Sequence, residues 1–186
     1  MNTLEKSNEN IKNSSYEGFF QYLNKMKGET RSETRFDYKD SLISATGVFL
    51  AVSILCLLAV FFHYPMAIGP LGASCVLVFI AHQGPLSQPR QVIGGHILST
   101  VTGLVIWDVF GKSLFILVIS LVVVLLFMSL TDTIHPPAAA SALVAINFEV
   151  GWGYLVPIVI GSILLVFISM LYNNLFPKRQ YPKHWL

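Results

Sequence analysis

Seven residues, Thr131-Asp132-Thr133-Ile134-His135-Pro136-Pro137, set a carboxylate and an imidazole three positions apart, directly before a proline pair. Proline suits the first turn of a helix, where its missing N–H had no intrahelical acceptor. A helix starting there leaves the amides of Ala138, Ala139 and Ala140 free to point at a ligand, and their methyl side chains let it come close. Gly69-Pro70 repeats the arrangement, with Leu71, Gly72 and Ala73 supplying the equivalent amides. Two such helix starts aimed at one point make an anion site. Ser74 and Ser141, one turn further on, either add hydroxyl donors or bond back to their own helices.

Two more residues, Arg90 and His96, carry chemical potential. Arg90 stands between the charged tails, either as a forked donor that gathers an anion or as an interfacial anchor. His96 follows Gly94-Gly95 inside an apolar run, where glycines permit close helix approach and an imidazole needs a partner. Asp132 and His135 read either as a proton-handling pair or, with Asp132 holding the chain in place, as a helix lead-in. His63, His82, Asp108 and Glu149 lie near segment ends and suggest no special role.

The elements that must position these groups belong to a membrane protein. Of 186 residues, 54% are hydrophobic and 12% charged, against roughly 45–50% and 25% in a soluble domain. Residues 1–40 hold seven Lys/Arg and seven Asp/Glu, residues 178–186 hold three more cations, and five charges remain between. A water-soluble globule would lack polar surface. The net charge of +2 is too small, and too confined to the ends, for nucleic-acid binding.

Residues 41–62, 91–110, 113–130 and 154–176 match the ~20 apolar residues of a full crossing. The segments 66–81 and 137–147 are shorter and proline-broken, and 11 residues reach only about 16 Å, roughly half the hydrocarbon thickness. The expected fold is therefore an all-α polytopic membrane protein with four full transmembrane helices and two short half-helices. Sliding the chain by 67 residues lays Pro70 on Pro137, Ala73 on Ala140, Ser74 on Ser141, Gly84 on Gly151 and Val92-Ile93-Gly94 on Val159-Ile160-Gly161. The chain thus reads as an internal repeat of span, half-helix and span. If each half-helix completes a crossing, the two units are inverted; if it re-enters, they are parallel. Inversion is favoured, because it brings both half-helix starts toward one midplane point.

Three regions follow: a polar cytoplasmic head over 1–40, a transmembrane domain over 41–177, and a short basic cytoplasmic tail over 178–186. In the head, Tyr16, Phe19, Phe20, Leu23 and Met26 recur at helical spacing, as in a helix lying in the membrane interface or packing on the protein's own loops. No leader-like apolar core precedes the head, and cations flank both ends, so both termini are expected in the cytoplasm, under the cell's inner membrane. Cys56 and Cys75 lack partner spacing, the histidines lack metal-ligand spacing, and no HExxH or GxSxG occurs. No cofactor and no metal are expected, nor is catalysis. A hydrolase would need Ser74 or Ser141 paired with His96 or His135, which the sequence allows without suggesting.

The string His135-Pro136-Pro137-Ala138-Ala139-Ala140-Ser141-Ala142-Leu143 resembles the signature of the HPP family of small integral membrane proteins. Gly69-Pro70-Leu71-Gly72-Ala73-Ser74 looks like that family's second segment. The run from Pro85-Leu86-Ser87-Gln88-Pro89-Arg90 to His96 resembles its central motif, and Tyr181-Pro182-Lys183-His184-Trp185 its ending. Gly18-Phe19-Phe20 through Lys27-Gly28 is similar to its head. Ala138-Ala139, Ser141 and Gln91 depart from the pattern, standing where glycines, threonine and asparagine are expected. The resemblance implies four membrane helices and a transporter, with nitrite as the substrate of some relatives.

The expected function is a permease or channel for a small inorganic anion, nitrite first, held by Leu71 to Ser74, Ala138 to Ser141, Arg90, His96, Asp132 and His135. The expected partners are the lipid bilayer, the anion and further copies of the chain, since one copy makes a thin wall for a pore. The competing reading is a membrane scaffold or regulatory partner subunit, whose small residues serve only packing.

Overall fold

The computed structural model describes residues 20–28 and 37–185, and the chain divides into two units, Met1–Phe36 and Asp37–Leu186. In the first, residues 20–26 are helical, with Phe20, Tyr22 and Met26 all exposed. Tyr16 and Phe19 lie outside the described residues, as does most of the link to the first span.

The second unit contains six helices among the described residues and no strand. Helix α1, Tyr38–Phe61, starts at Asp37, whose carboxylate accepts the Lys39 and Asp40 amides. Helix α2, Ile68–Ile80, follows the 3-10 turn Pro65–Ala67, and α3, Pro89–Phe110, follows the 3-10 turn Pro85–Ser87. Gly111, at φ 70°, ends α3, and the Ser113 hydroxyl caps α4, Leu114–Leu130. The turn Pro136–Ala138 leads into α5, Ala139–Asn147, and the turn Trp152–Tyr154 into α6, Leu155–Asn173.

Three stretches are long and apolar enough to cross a membrane: Tyr38–Phe61, Pro89–Phe110 and Trp152–Asn173. The fourth expected span falls short: α4, set between the Ser113 cap and the turn at Asp132, has 17 residues, about 26 Å against a ~30 Å hydrocarbon core. The segment expected over 66–81 is the continuous stretch Pro65–Ile80, nearly as long as α4. The shortest helix of the second unit, among the described residues, is α5, at nine residues.

Polar contacts between helix ends show the helices alternating in direction. Ser44, early in α1, donates to the Phe79 carbonyl at the end of α2. Arg90, at the start of α3, donates to the Thr131 carbonyl after α4. Lys112, after α3, donates to the Asn147 carbonyl ending α5, and the Trp152 indole donates to Asp108. Arg179, beyond α6, binds Asp40 at the start of α1. The start of α1 and the end of α6 therefore share one end of the bundle, the near end. Three passes bring the chain to α4 at the far end, so the second three helices run opposite to the first.

The outside of the bundle is apolar, unlike that of a soluble protein. Leu114, Phe115, Val118, Val122 and Leu130 of α4 are each more than half exposed, whereas its buried residues, Ser120, Val124 and Met128, form a single stripe. Inside, Ser74, His96, Ser99, Thr100, His135 and Ser141 have no exposed surface. An apolar rind around a core that also holds a polar cluster fits a hydrocarbon solvent, where unpaired polar groups are costly on the outside.

Candidate functional site

Four of the interior polar side chains form one hydrogen-bonded chain. Ser74, on α2, lies 2.7 Å from His96 Nε2 and 2.9 Å from His135 Nε2. The second nitrogen of His96 meets Ser141, on α5, at 3.0 Å, and that of His135 meets the Leu86 carbonyl at 2.7 Å. The two imidazole centroids are 5.5 Å apart. The serines 67 positions apart thus hold opposite edges of the same ring, His96, while His135 enters from the extended lead-in to α5.

Backbone packing makes this convergence possible. A Cβ on Gly95 would stand 2.9 Å from His135 Cβ and from the Thr133 carbonyl, and one on Gly94 would stand 2.7 Å from Thr133 Cγ2. One on Gly103 would meet Ala142 Cα at 2.5 Å. Helix α3 therefore approaches α5 and its lead-in closely because these positions lack side chains. The Thr100 hydroxyl donates to the His96 carbonyl, and Ser99 Oγ accepts the Ala142 amide.

Several expected site residues stand elsewhere. Helix α2 begins at Ile68, so the amides of Leu71, Gly72 and Ala73 lie inside it and pair with carbonyls four residues back. Leu71 fills the space beside Gly161, and Ala73 faces outward. Ala138 donates to the His135 carbonyl and Ala139 to that of Pro136, a 3-10 tightening that uses amides the proline pair had suggested were free. Ala140 sits half-buried in the first turn of α5. Asp132 does not pair with His135, both of whose nitrogens are taken; it is exposed at φ 51°, in the turn that closes α4. Arg90 binds the terminal carbonyls of α4 through Thr131 rather than reaching the serine–histidine chain.

Four participants escaped the sequence reading. The Leu86 carbonyl is a backbone group with no side-chain signature. The Tyr154 hydroxyl is buried and faces Ser141. Arg179, expected in a free tail, is 5% exposed. Its guanidinium donates to the Asp40 carboxylate and carbonyl, the Ser44 hydroxyl, the Asn173 side chain and the Phe79 carbonyl. The tail is also held by Gln88, whose side chain accepts the Lys183 amide and donates to the His82 and Gly84 carbonyls. His82, in the same near-end loop, is driven below its usual pKa by burial first and by the Arg179 charge second. Burial raises the pKa of Tyr181.

Chemically, the chain of Ser74, His96, Ser141 and His135 is composed of groups that can each donate or accept. A hydrolase would also need a serine–histidine contact, but here two imidazoles close over one hydroxyl and no carboxylate orients either ring. Among the described residues, no three His, Cys, Asp or Glu side chains gather as a metal site.

Apolar helices that alternate through a bundle, bare of charge outside and holding a polar cluster within, define an all-helical polytopic membrane protein. The comparison with known families places it further: the profile of the HPP transmembrane region matches residues 33–182, and the chain belongs to that family. It is similar to a transmembrane protein of Dictyostelium discoideum, 33% identical over 186 residues, 90% of this chain and 58% of the relative. A second transmembrane protein of that organism is 35% identical over 153 residues, 77% of this chain and 54% of the relative. The chain therefore spans little more than half the length of these relatives. No solved structure matches.

Proposed function

We propose that this HPP protein is a permease for a small inorganic anion, nitrite first, whose polar centre is the Ser74–His96–Ser141–His135 chain. The observation that carries this reading is a continuous polar path with no exposed surface, built from α2, α3, α5 and the α5 lead-in, inside an apolar bundle. Polar groups at membrane depth are costly, and their commonest use is to move a polar species. Because turn hydrogen bonds use the Ala138 and Ala139 amides, an anion would be met by serine hydroxyls and imidazole N–H groups that exchange a bond within the chain for one to it, rather than by bare helix starts.

The reading includes an inverted repeat. Its support is the 67-residue register of Ser74 with Ser141, the ends of α2 and α5 at Ile80 and Asn147, and the opposite running of the two halves. It also includes a near end facing the cytoplasm: Lys39, Arg90, Lys178, Arg179 and Lys183 lie there, against Lys112 at the far end, the asymmetry of the positive-inside rule. The outward apolar face of α4 suits lipid or a second copy of the chain.

The test is nitrite flux into proteoliposomes, with nitrate, formate and chloride as competitors. Saturable flux that falls at least tenfold in folded His135→Ala is expected. Intact protein that moves none of these anions faster than protein-free vesicles would overturn the reading. Orientation is checked with Gln83→Cys in a Cys56→Ser background, since Gln83 is exposed in the near-end loop. Membrane-impermeant thiol reagent is expected to label it only from the cytoplasmic side.

A further inference from the structure

We propose that the same chain is a proton relay, with one backbone carbonyl setting its direction, so that transport through this protein is coupled to protons; the coupling rests on the permease reading, whereas the relay does not. The Leu86 carbonyl can only accept, so His135 carries its proton on Nδ1. With both rings neutral, His135 Nε2 must accept, and the hydroxyl within reach is that of Ser74. Having given its proton to His135, Ser74 Oγ must accept from His96, which places the His96 proton on Nε2. His96 Nδ1 is then an acceptor, and Ser141 donates to it. A Ser74 hydroxyl turned instead to the Pro70 carbonyl at 3.0 Å would leave His135 Nε2 without a donor. Every polar atom in the path is satisfied by one arrangement: Ser141 to His96 to Ser74 to His135 to Leu86.

The ends of the path lie toward opposite ends of the bundle. Leu86 is in the near-end loop between α2 and α3, and Tyr154 is in the far-end turn before α6. The Tyr154 hydroxyl, buried and facing Ser141, is the donor that leads from the path toward the far end. Neither imidazole has a hydrogen bond or ion pair to a carboxylate, lysine or arginine among the described residues, and the titratable group facing each ring is the other imidazole. No fixed charge therefore pins the protons in place.

The transfer balances without a co-reactant. Ser141 Oγ takes a proton from the far side and passes its own to His96 Nδ1; His96 Nε2 passes its proton to Ser74 Oγ; Ser74 passes its own to His135 Nε2; and His135 Nδ1, closed off by the Leu86 carbonyl at rest, releases its proton when that contact opens and near-end water reaches the ring. One proton enters and one leaves; the three hydrogen bonds among Ser141, His96, Ser74 and His135 are reversed, and the fourth, to the Leu86 carbonyl, is lost. The reversed state sets a bare Nδ1 against the Leu86 carbonyl, two lone pairs 2.7 Å apart in the present geometry. That repulsion drives hydroxyl rotation and proton exchange on the rings back to the first arrangement.

The test has a structural arm and a flux arm. In 15N-histidine-labelled protein in lipid, NMR is expected to show the two rings in opposite tautomers, His135 as Nδ1–H and His96 as Nε2–H; His96 as Nδ1–H overturns the proposal. In proteoliposomes carrying an internal pH dye, a potassium diffusion potential is expected to drive protons through the native protein. Ser74→Ala should lower that flux at least tenfold, and Ser74→Thr, which keeps the hydroxyl, should restore it. Ser141→Ala, checked for a native melting transition, is the second interruption. No proton flux in the native protein, or unchanged flux in both alanine variants, overturns the relay. With nitrite added, proton entry above that of protein-free vesicles, falling with nitrite entry in Ser74→Ala, supports coupling. Nitrite entry without protons overturns the coupling, and proton flux without any anion flux overturns the permease while leaving the relay upheld.

Discussion

Two buried polar networks occupy different levels of this bundle, and the contrast between them separates holding from switching. At the near end, Arg179 ties α1, the end of α2 and the end of α6 together through donors that cannot become acceptors. In the interior, hydroxyls and imidazoles can each play either part, so the same contacts support two directions of bonding. A guanidinium knot has one arrangement and gives rigidity. An amphoteric chain has two, and a species that carries a proton can choose between them.

The largest effect should come from cutting the knot. Arg179→Ala leaves the Ser44 hydroxyl, the Asn173 side chain and half-exposed Asp40 without their shared donor, and should cost about 3 kcal/mol or more. Thermal unfolding in detergent measures it, and Arg179→Lys should recover little, because a point charge cannot span these acceptors. A shift under about 0.5 kcal/mol, the usual range for a surface substitution, would make the tail an ornament and remove one side of the comparison. The interior chain should respond in the opposite proportion. Ser74→Ala should cost about 1–3 kcal/mol, the range for unsatisfied buried polar groups, yet abolish flux. If stability and flux fell together in both networks, the distinction between them would fail.

How much of this was legible follows from the same contrast. Three of the four expected spans and the serine and histidine positions could be read, because apolar runs and the 67-residue register of Ser74 and Ser141 are properties of sequence. Arg179 could not, because its partner Asp40 lies 139 positions away and both sit among tail charges that look solvated. Spacing left open whether Asp132 pairs with His135 or holds the lead-in, because it does not show that the two residues occupy a turn and an extended segment, where side chains three apart need not meet. Proline placed the α5 start nearly correctly, but it could not reveal the 3-10 turns that use the amides beside it.

A smaller effect separates the near-end loop from the interior by pH. Burial and the Arg179 charge hold His82 below its usual pKa, with Asp40 opposing and Lys183 adding to the shift. The unfolded chain therefore binds this proton more readily than the folded one, and the His82 contribution to stability is lost as pH falls below about 6.5. Melting temperature followed from pH 7.5 to 5 should drop less steeply in His82→Gln. An unchanged slope would mean that the knot is insensitive to its neighbouring imidazole.

The smallest expected effect is a gain, and it tests whether Asp132 has any share in the interior chain. Three helices end with a non-glycine residue at positive φ: His63 after α1, Asp132 after α4 and Glu149 after α5. At Asp132 the flanking bonds, from Asp132 N to the Ser129 carbonyl and from Thr133 N to that of Met128, close the helix in the manner that favours glycine. Asp132→Gly removes the strain of a side chain in the left-handed region, worth about 0.5–1 kcal/mol. Because both His135 nitrogens are bonded elsewhere, the same substitution should leave the His135 tautomer unchanged by NMR. A stabilised protein with an altered tautomer would draw Asp132 into the switching network, whereas a stabilised protein with the native tautomer confines it to shaping the turn from which His135 is delivered.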